Sequence, residues 1–367
     1  MRRVPSSPTS VSSSPVRARA RRCATAALMA LATLAGSVAS ADESTTNAAE
    51  VRAVVARLEA NKAALARASA AVVGIEMIAV DDARSIQTLG RERQGSGVLI
   101  GDDGLVLTIG YLILEADHVD LVTANGRRVP ARVVAYDLAS GFGLVQALAP
   151  LGIAPAPLGT SAKVAGDDPL LVASGGDDRD LSLARMVSRR PFSGYWEYHI
   201  DDALFTAPAR TDHSGAGLFT AEGELVGVGS LLVGNAAGTG SPSLRGNMFV
   251  PIDLLKPILG ELRASGSSRG STRAWLGVNC VEIGGAVHVV RLAPDSPSEA
   301  AGVQRGDVIV AVDGIRVTDL ATFYEALWKG DRADRDVVLD IRRGDDTMKT
   351  TVHAVDRMRT LSRPKGV

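Results

Sequence analysis

Cysteine is scarce in this chain, with two among 367 residues. That is too few for a disulfide-rich scaffold or a zinc ribbon, and no metal or other cofactor is expected. Aromatic residues make up only 4%, which argues against stacking platforms for single-stranded nucleic acid. Excess charge is also missing. A formal charge of −1 supplies no basic field for a phosphate backbone, so a nucleic-acid partner is not expected. Beyond the N-terminal segment no stretch is apolar enough to span a bilayer. Apolar residues are plentiful at 46%, enough to build a core and to argue against disorder. The length fits about two domains.

The N-terminus reads as a removable leader. Arg2, Arg3, Arg17, Arg19, Arg21 and Arg22 come without any acid, an apolar run follows from Ala24 to Val38, and Ala39-Ser40-Ala41 closes it. Basic, apolar, then small residues is the order of a secretory signal peptide over 1–41. The competing reading is a membrane anchor, but the run of 15 residues falls short of the roughly 20 that span a bilayer. Arg21-Arg22 hints at twin-arginine export within a poor surrounding motif. Without residues 1–41 the chain keeps 34 basic and 41 acidic side chains, a formal charge of −7. Cys23 leaves with the leader, so Cys280 has no intrachain partner. A buried strand residue is the expectation there, ahead of a reactive thiol.

Residues 42–70 form the next segment, with Val51, Val54, Val55, Leu58, Ala63, Leu65 and Ala66 recurring at helical spacing over 47–70. Packing on its own domain is favoured over self-association. From 71 to 262 the texture changes to short β segments with Gly-rich turns such as Gly101-Asp102-Asp103-Gly104, which points to an all-β barrel or sandwich arrangement. Pro251 to Arg263 reads as a closing helix. Residues 263–273 are a polar Gly/Ser linker. A last domain follows over 274–357, with strands near 286–290, 307–312 and 337–342 and a helix from Leu320 capped by Asp319; 358–367 is a basic tail.

In that last domain, Ser296-Pro297-Ser298-Glu299-Ala300-Ala301-Gly302-Val303 with Arg305-Gly306-Asp307-Val308-Ile309 and Asp313-Gly314 resembles the core signature of a bacterial PDZ domain. Ser298 is placed to cap a short helix that Gly302 stops. Trp275-Leu276-Gly277-Val278 looks like the loop whose backbone N–H groups receive a peptide's C-terminal carboxylate. The resemblance implies that a peptide adds as a strand beside 278–283. Phe323 and Leu327, one helical turn apart, either line that groove or face the core.

A PDZ domain behind an all-β domain resembles the HtrA (Deg-type) serine proteases. Gly95-Ser96-Gly97-Val98-Leu99-Ile100, Gly104-Leu105-Val106-Leu107-Thr108 and Gly223-Glu224-Leu225-Val226-Gly227 are similar to strands of their trypsin-like double barrel, over about 70–262. The implied fold is mainly β: a trypsin-like double β-barrel and a PDZ domain preceded by an N-terminal helix. The groups for chemistry depart from the family. Tyr111 stands where the resemblance implies the histidine, and Gly141 where it implies the aspartate. Only Ser214 stays at the nucleophile position, inside Asp212-His213-Ser214-Gly215. The oxyanion-hole candidates are the N–H groups of Asp212 and Ser214, and Asp212 reaches left-handed backbone angles only at a cost.

A serine hydroxyl is a weak nucleophile until a base takes its proton, and a phenol is a poor base at neutral pH. His213 is too close in sequence to Ser214 to serve easily. His118 falls on the next strand as a solvated side chain. Phe192, Tyr195, Trp196 and Tyr198 cluster within seven residues, either as a partner surface or, the favoured reading, as strand packing against the barrel. The expectation is a secreted, periplasmic HtrA-like protein that binds peptides or protein C-termini without cutting them. The alternatives are an active endopeptidase using Ser214 with a non-standard base, and a chaperone or regulatory subunit, homo-oligomeric or assembled with an active relative.

Overall fold

Short β-branched runs between Gly, Asn and Asp turns close into two barrels and one open sheet in the computed structural model, which describes residues 41–362 apart from 167, 178, 239 and 331. Apart from Ala41, the expected leader lies outside the described residues. Helix α1 spans Ala41–Ala70. The chain divides into two compact units, one ending at Arg57 and one beginning at Leu58. Val54 and Val55 are exposed in the first. In the second, Leu65 and Ala68 on the last turns of α1 pack into the apolar core to which both barrels contribute, while Leu58 is exposed.

The first barrel comprises β1 (Val72–Ala79), β2 (Glu92–Leu99), β3 (Leu105–Ile109), β4 (Ala116–Val122), β5 (Arg128–Tyr136) and β6 (Phe142–Ala147). It closes in the order β1-β2-β3-β6-β5-β4, with β4 antiparallel to β1. Every residue of β3 is buried, because one face fills the barrel and the other is also covered; such a strand reads as a continuous apolar run. A short helix α2 (Ile86–Leu89) bridges β1 and β2.

The second barrel uses β7 (Leu170–Ala173), β8 (Leu181–Gly194), β9 (Tyr198–Ala207), β10 (Gly217–Phe219), β11 (Leu225–Val233) and β12 (Gly246–Pro251), closed where β10 meets β7. The closing helix is shorter than the sequence implies: a 3-10 turn at Ile252–Leu254, then α3 (Leu259–Ser265), which Gly266 ends at φ 79°.

The Gly/Ser segment that follows is not a free tether. Ser268 and Ser271 are buried, and their hydroxyls donate to Asp137 Oδ1. The N–H and hydroxyl of Ser140 donate to its Oδ2 at 2.8 and 2.5 Å. Burial opposes ionisation of this carboxylate, but the three hydroxyls outweigh it and hold Asp137 below its usual range.

The last domain is one sheet in the order β13-β19-β18-β16-β15-β14. Its strands are β13 (Ala274–Trp275), β14 (Val278–Ile283), β15 (Ala286–Leu292), β16 (Val308–Val312), β17 (Ile315–Arg316), β18 (Arg335–Arg343) and β19 (Asp346–Asp356). The β16–β17 turn places Asp313 and Gly314 at φ 49° and 79°, the two positive values that a tight two-residue hairpin needs. Helix α4 (Pro297–Ala300) is capped by Ser296, whose hydroxyl accepts from Glu299 N, and not by Ser298, which is buried one residue inside the helix. Pro297 explains the shift, since proline favours the first helical position and leaves the cap to the residue before it. Helix α5 (Leu320–Leu327) starts with a reciprocal capping box between Asp319 and Thr322.

Candidate functional site

Three sequence positions far apart meet between the barrels. Tyr111 sits in a 3-10 turn directly after β3, Ser214 in the loop between β9 and β10, and Gly141 in the turn between β5 and β6. Arg93 fixes the first of these by donating to the carbonyls of Tyr111 and Leu114 at 2.9 and 2.8 Å. The backbone of Ser96 on β2 donates to Ser214 O at 2.8 Å and so ties the serine loop to the first barrel.

Tyr111 Oη lies 2.8 Å from Ser214 Oγ and 2.7 Å from the Ser230 carbonyl oxygen. A carbonyl only accepts, and a phenol has one proton. Both contacts are satisfied in one way: Tyr111 donates to Ser230 O and accepts from Ser214 Oγ. Burial pushes the Tyr111 phenol up to about 12, against the smaller opposing effect of the Ser214 hydrogen bond. The serine proton therefore points at an oxygen whose own proton has nowhere to go.

At Gly141, which the resemblance sets at the aspartate position, the backbone is left-handed. Gly141 has φ 82°, and a Cβ there would stand 3.1 Å from Tyr198 Oη. That hydroxyl donates to Ser140 O at 2.8 Å. An aromatic ring thus fills the space beside Gly141.

Asp212, an oxyanion-hole candidate, is not among the non-glycine residues with positive φ, so the strain expected there is absent. Its carboxylate turns away to accept from Ser174 Oγ at 2.5 Å and from Arg210 Nε at 3.0 Å. Burial opposes its ionisation, but Arg210 and Ser174 hold it below the usual carboxylate range. His213 donates through Nδ1 to Arg210 O at 3.1 Å, and burial lowers its pKa. His118 pairs with Asp120 at 3.1 Å on the exposed face of β4. Among the described residues no group of three or more His, Cys, Asp or Glu converges on a metal site.

The loop before β14 has the backbone form expected of a carboxylate receiver. Gly277 has φ 79°, and any Cβ there would collide with Ser296 Cβ at 2.2 Å, so only glycine fits. The N–H groups of Leu276, Gly277 and Val278 converge on one carboxylate, that of Glu197 between β8 and β9. Leu276 N donates to Oε2 at 3.1 Å, and Gly277 N and Val278 N to Oε1 at 2.7 and 3.0 Å. Glu197 was not foreseen as a site residue. The only signal for it is a lone acid inside the aromatic cluster Tyr195-Trp196-Glu197-Tyr198.

Phe323 and Leu327 are fully buried among the core residues of the last domain. The group on α5 that reaches the groove is the Tyr324 hydroxyl, which donates to Gly194 O at 2.5 Å and accepts from Glu197 N at 3.2 Å. Trp275 and Leu276 are buried as well. The aromatic cluster divides: Tyr198 is buried, Phe192 and Trp196 pack against the barrel core, and Tyr195 is exposed. Cys280 is buried on β14, and burial pushes its thiol upward.

These features define a class: two six-stranded barrels with a serine loop at their junction, followed by a domain with a carboxylate-receiving loop. Residues 95–228 match the family model of the trypsin-like peptidase domain, and residues 274–354 that of the PDZ domain. A putative serine protease HhoA of Synechocystis sp. is 28% identical over 73% of this chain and 73% of its own length. A probable periplasmic serine endoprotease DegP-like of Ectopseudomonas mendocina is 28% identical over 68% of this chain, which spans only 56% of that relative. The solved structure of the HtrA-type protease AlgW with a tripeptide has a TM-score of 0.51 at 19% identity, covering 83% of this chain and 99% of that one; this likeness bears on the fold alone. The chain therefore carries a trypsin-like peptidase domain followed by a PDZ domain and is similar to HtrA-type serine proteases.

Proposed function

We propose that this protein is a non-cleaving HtrA homologue that binds peptides or protein C-termini through its PDZ domain in the periplasm. The observation that carries the reading is the Ser214–Tyr111–Ser230 chain of hydrogen bonds. Catalysis by a serine needs a neighbour that takes its proton and later returns it. A phenol near pKa 12 is ionised in about one molecule in 10⁵ at pH 7, and its proton faces a carbonyl that cannot accept it covalently. Gly141 provides no carboxylate to orient a base. The losses act as a unit, so activity is expected to fall by about 10⁴ to 10⁶. The periplasmic location rests on the leader-like N-terminus together with the DegP-like relatives. The domain limits 71–262 and 274–357 belong to the same reading.

Its test is a pair of fluorescent peptides that differ only in a free or amidated C-terminus. The free acid is expected to bind more tightly and to be recovered uncut by mass spectrometry. Equal binding of both forms contradicts carboxylate capture, and cleavage that stops on Ser214→Ala contradicts the loss of activity.

A further inference from the structure

The groups that would receive a peptide terminus are already engaged. Three successive N–H groups hold the Glu197 carboxylate in the way a terminal carboxylate would be held. The likeness extends along the chain. Cys280 N on β14 donates to Tyr195 O at 2.9 Å, so backbone two residues before the carboxylate bonds the strand edge, as an added strand does. From the other wall, Tyr324 Oη bridges Gly194 O and Glu197 N. Glu197 itself sits at φ 57°, a conformation that a non-glycine residue adopts at some cost, and which here turns its side chain into the loop.

We propose that the β8–β9 hairpin tip, Gly194–Glu197, is the resident ligand of the carboxylate loop, and that an outside chain terminus binds by exchange with it. This rests on the reading that the loop receives C-terminal carboxylates. The ligand chemistry is a free α-carboxylate on an extended segment, since a carboxylate and one main-chain carbonyl are the features that the tip supplies. Space for entry adjoins the loop: a cavity of about 510 Å³ borders Gly277, Val278 and Asn279 and extends to Tyr111. A tethered ligand competes at high effective concentration, so the apparent affinity for an outside terminus falls by the fraction of molecules in which the loop is free.

The experiment measures binding of one peptide, as free acid and as amide, to the full chain as wild type, Glu197→Ala and Tyr324→Phe. Glu197→Ala is expected to bind the free acid about tenfold or more tightly than wild type, with the amide unchanged and Tyr324→Phe in between. Hydrogen exchange of the amides in 274–280 is expected to speed up in Glu197→Ala and to slow again on adding the free acid. Equal free-acid affinity in wild type and variants, with acid still preferred over amide, overturns the resident ligand and leaves carboxylate capture standing. Failure of every protein to prefer the acid overturns both. Should Glu197→Ala not fold, Tyr324→Phe decides alone: affinity equal to that of wild type overturns the exchange.

Discussion

The serine site and the carboxylate loop have departed from readiness in opposite directions. At the serine site, on the proposed reading, the receiving groups are replaced, and aromatic side chains stand there: Tyr111 against Ser214, and Tyr198 against Gly141. At the loop the receiving groups are all present, from Leu276 N to Val278 N, and an acid of the same chain fills them. On the reading proposed above, the first change is covalent and embedded in packing, so no ligand reverses it. On the exchange proposed above, the second is an equilibrium between a tethered and a free carboxylate, and a ligand of higher affinity shifts it.

The sharpest test of the loop's side of this contrast is Phe323→Ala. Phe323 is fully buried in the last domain's core, so truncation is expected to cost about 3–5 kcal/mol of stability, read by denaturant unfolding. A small loss of stability with abolished peptide binding would place Phe323 in the groove instead. For the serine side, Gly141→Asp in a Tyr111→His background asks whether residue identity alone was lost. The left-handed backbone at 141 and the nearby Tyr198 hydroxyl are expected to cost about 1–3 kcal/mol, again by unfolding, without Ser214-dependent hydrolysis. Restored hydrolysis would show that the backbone still accommodates a triad.

The smallest effect expected is one of pH. Burial pushes the Glu197 carboxyl up to about 7, opposed by Arg357 and by the N–H groups of Val278, Leu276 and Gly277. The other titratable groups facing it are Tyr324 on α5 and Cys280 on β14, both pushed upward by burial and neutral near pH 7. A carboxyl raised from 4.5 favours the docked tip fully below pH 4.5 and loses that favour as pH rises through about 7. Affinity for an outside terminus is therefore expected to rise about tenfold from pH 6 to pH 8, and to stay flat in Glu197→Ala. A wild-type affinity that falls over this range would contradict the assignment.

Local grammar made much of the fold legible. Asp319 announced its helix, and Gly101-Asp102-Asp103-Gly104 its turn. The motif order also brought Tyr111 and Ser214, distant in sequence, into one candidate site, and the fold puts them in contact. What escaped depended on partners distant in sequence. Ser268 and Ser271 look like linker residues until Asp137, more than 130 residues earlier, receives their hydroxyls. Glu197 looks like an exposed acid in an aromatic patch until the fold carries it to Gly277, 80 residues away. Burial, positive φ and a raised pKa arise at that position only once two domains meet.

The central claim is that Ser214 has no base. Its most direct measurement is labelling of the purified protein with a fluorophosphonate probe at pH 7, beside Ser214→Ala. The account expects no labelling above that of the alanine variant, and labelling that disappears in Ser214→Ala would contradict it.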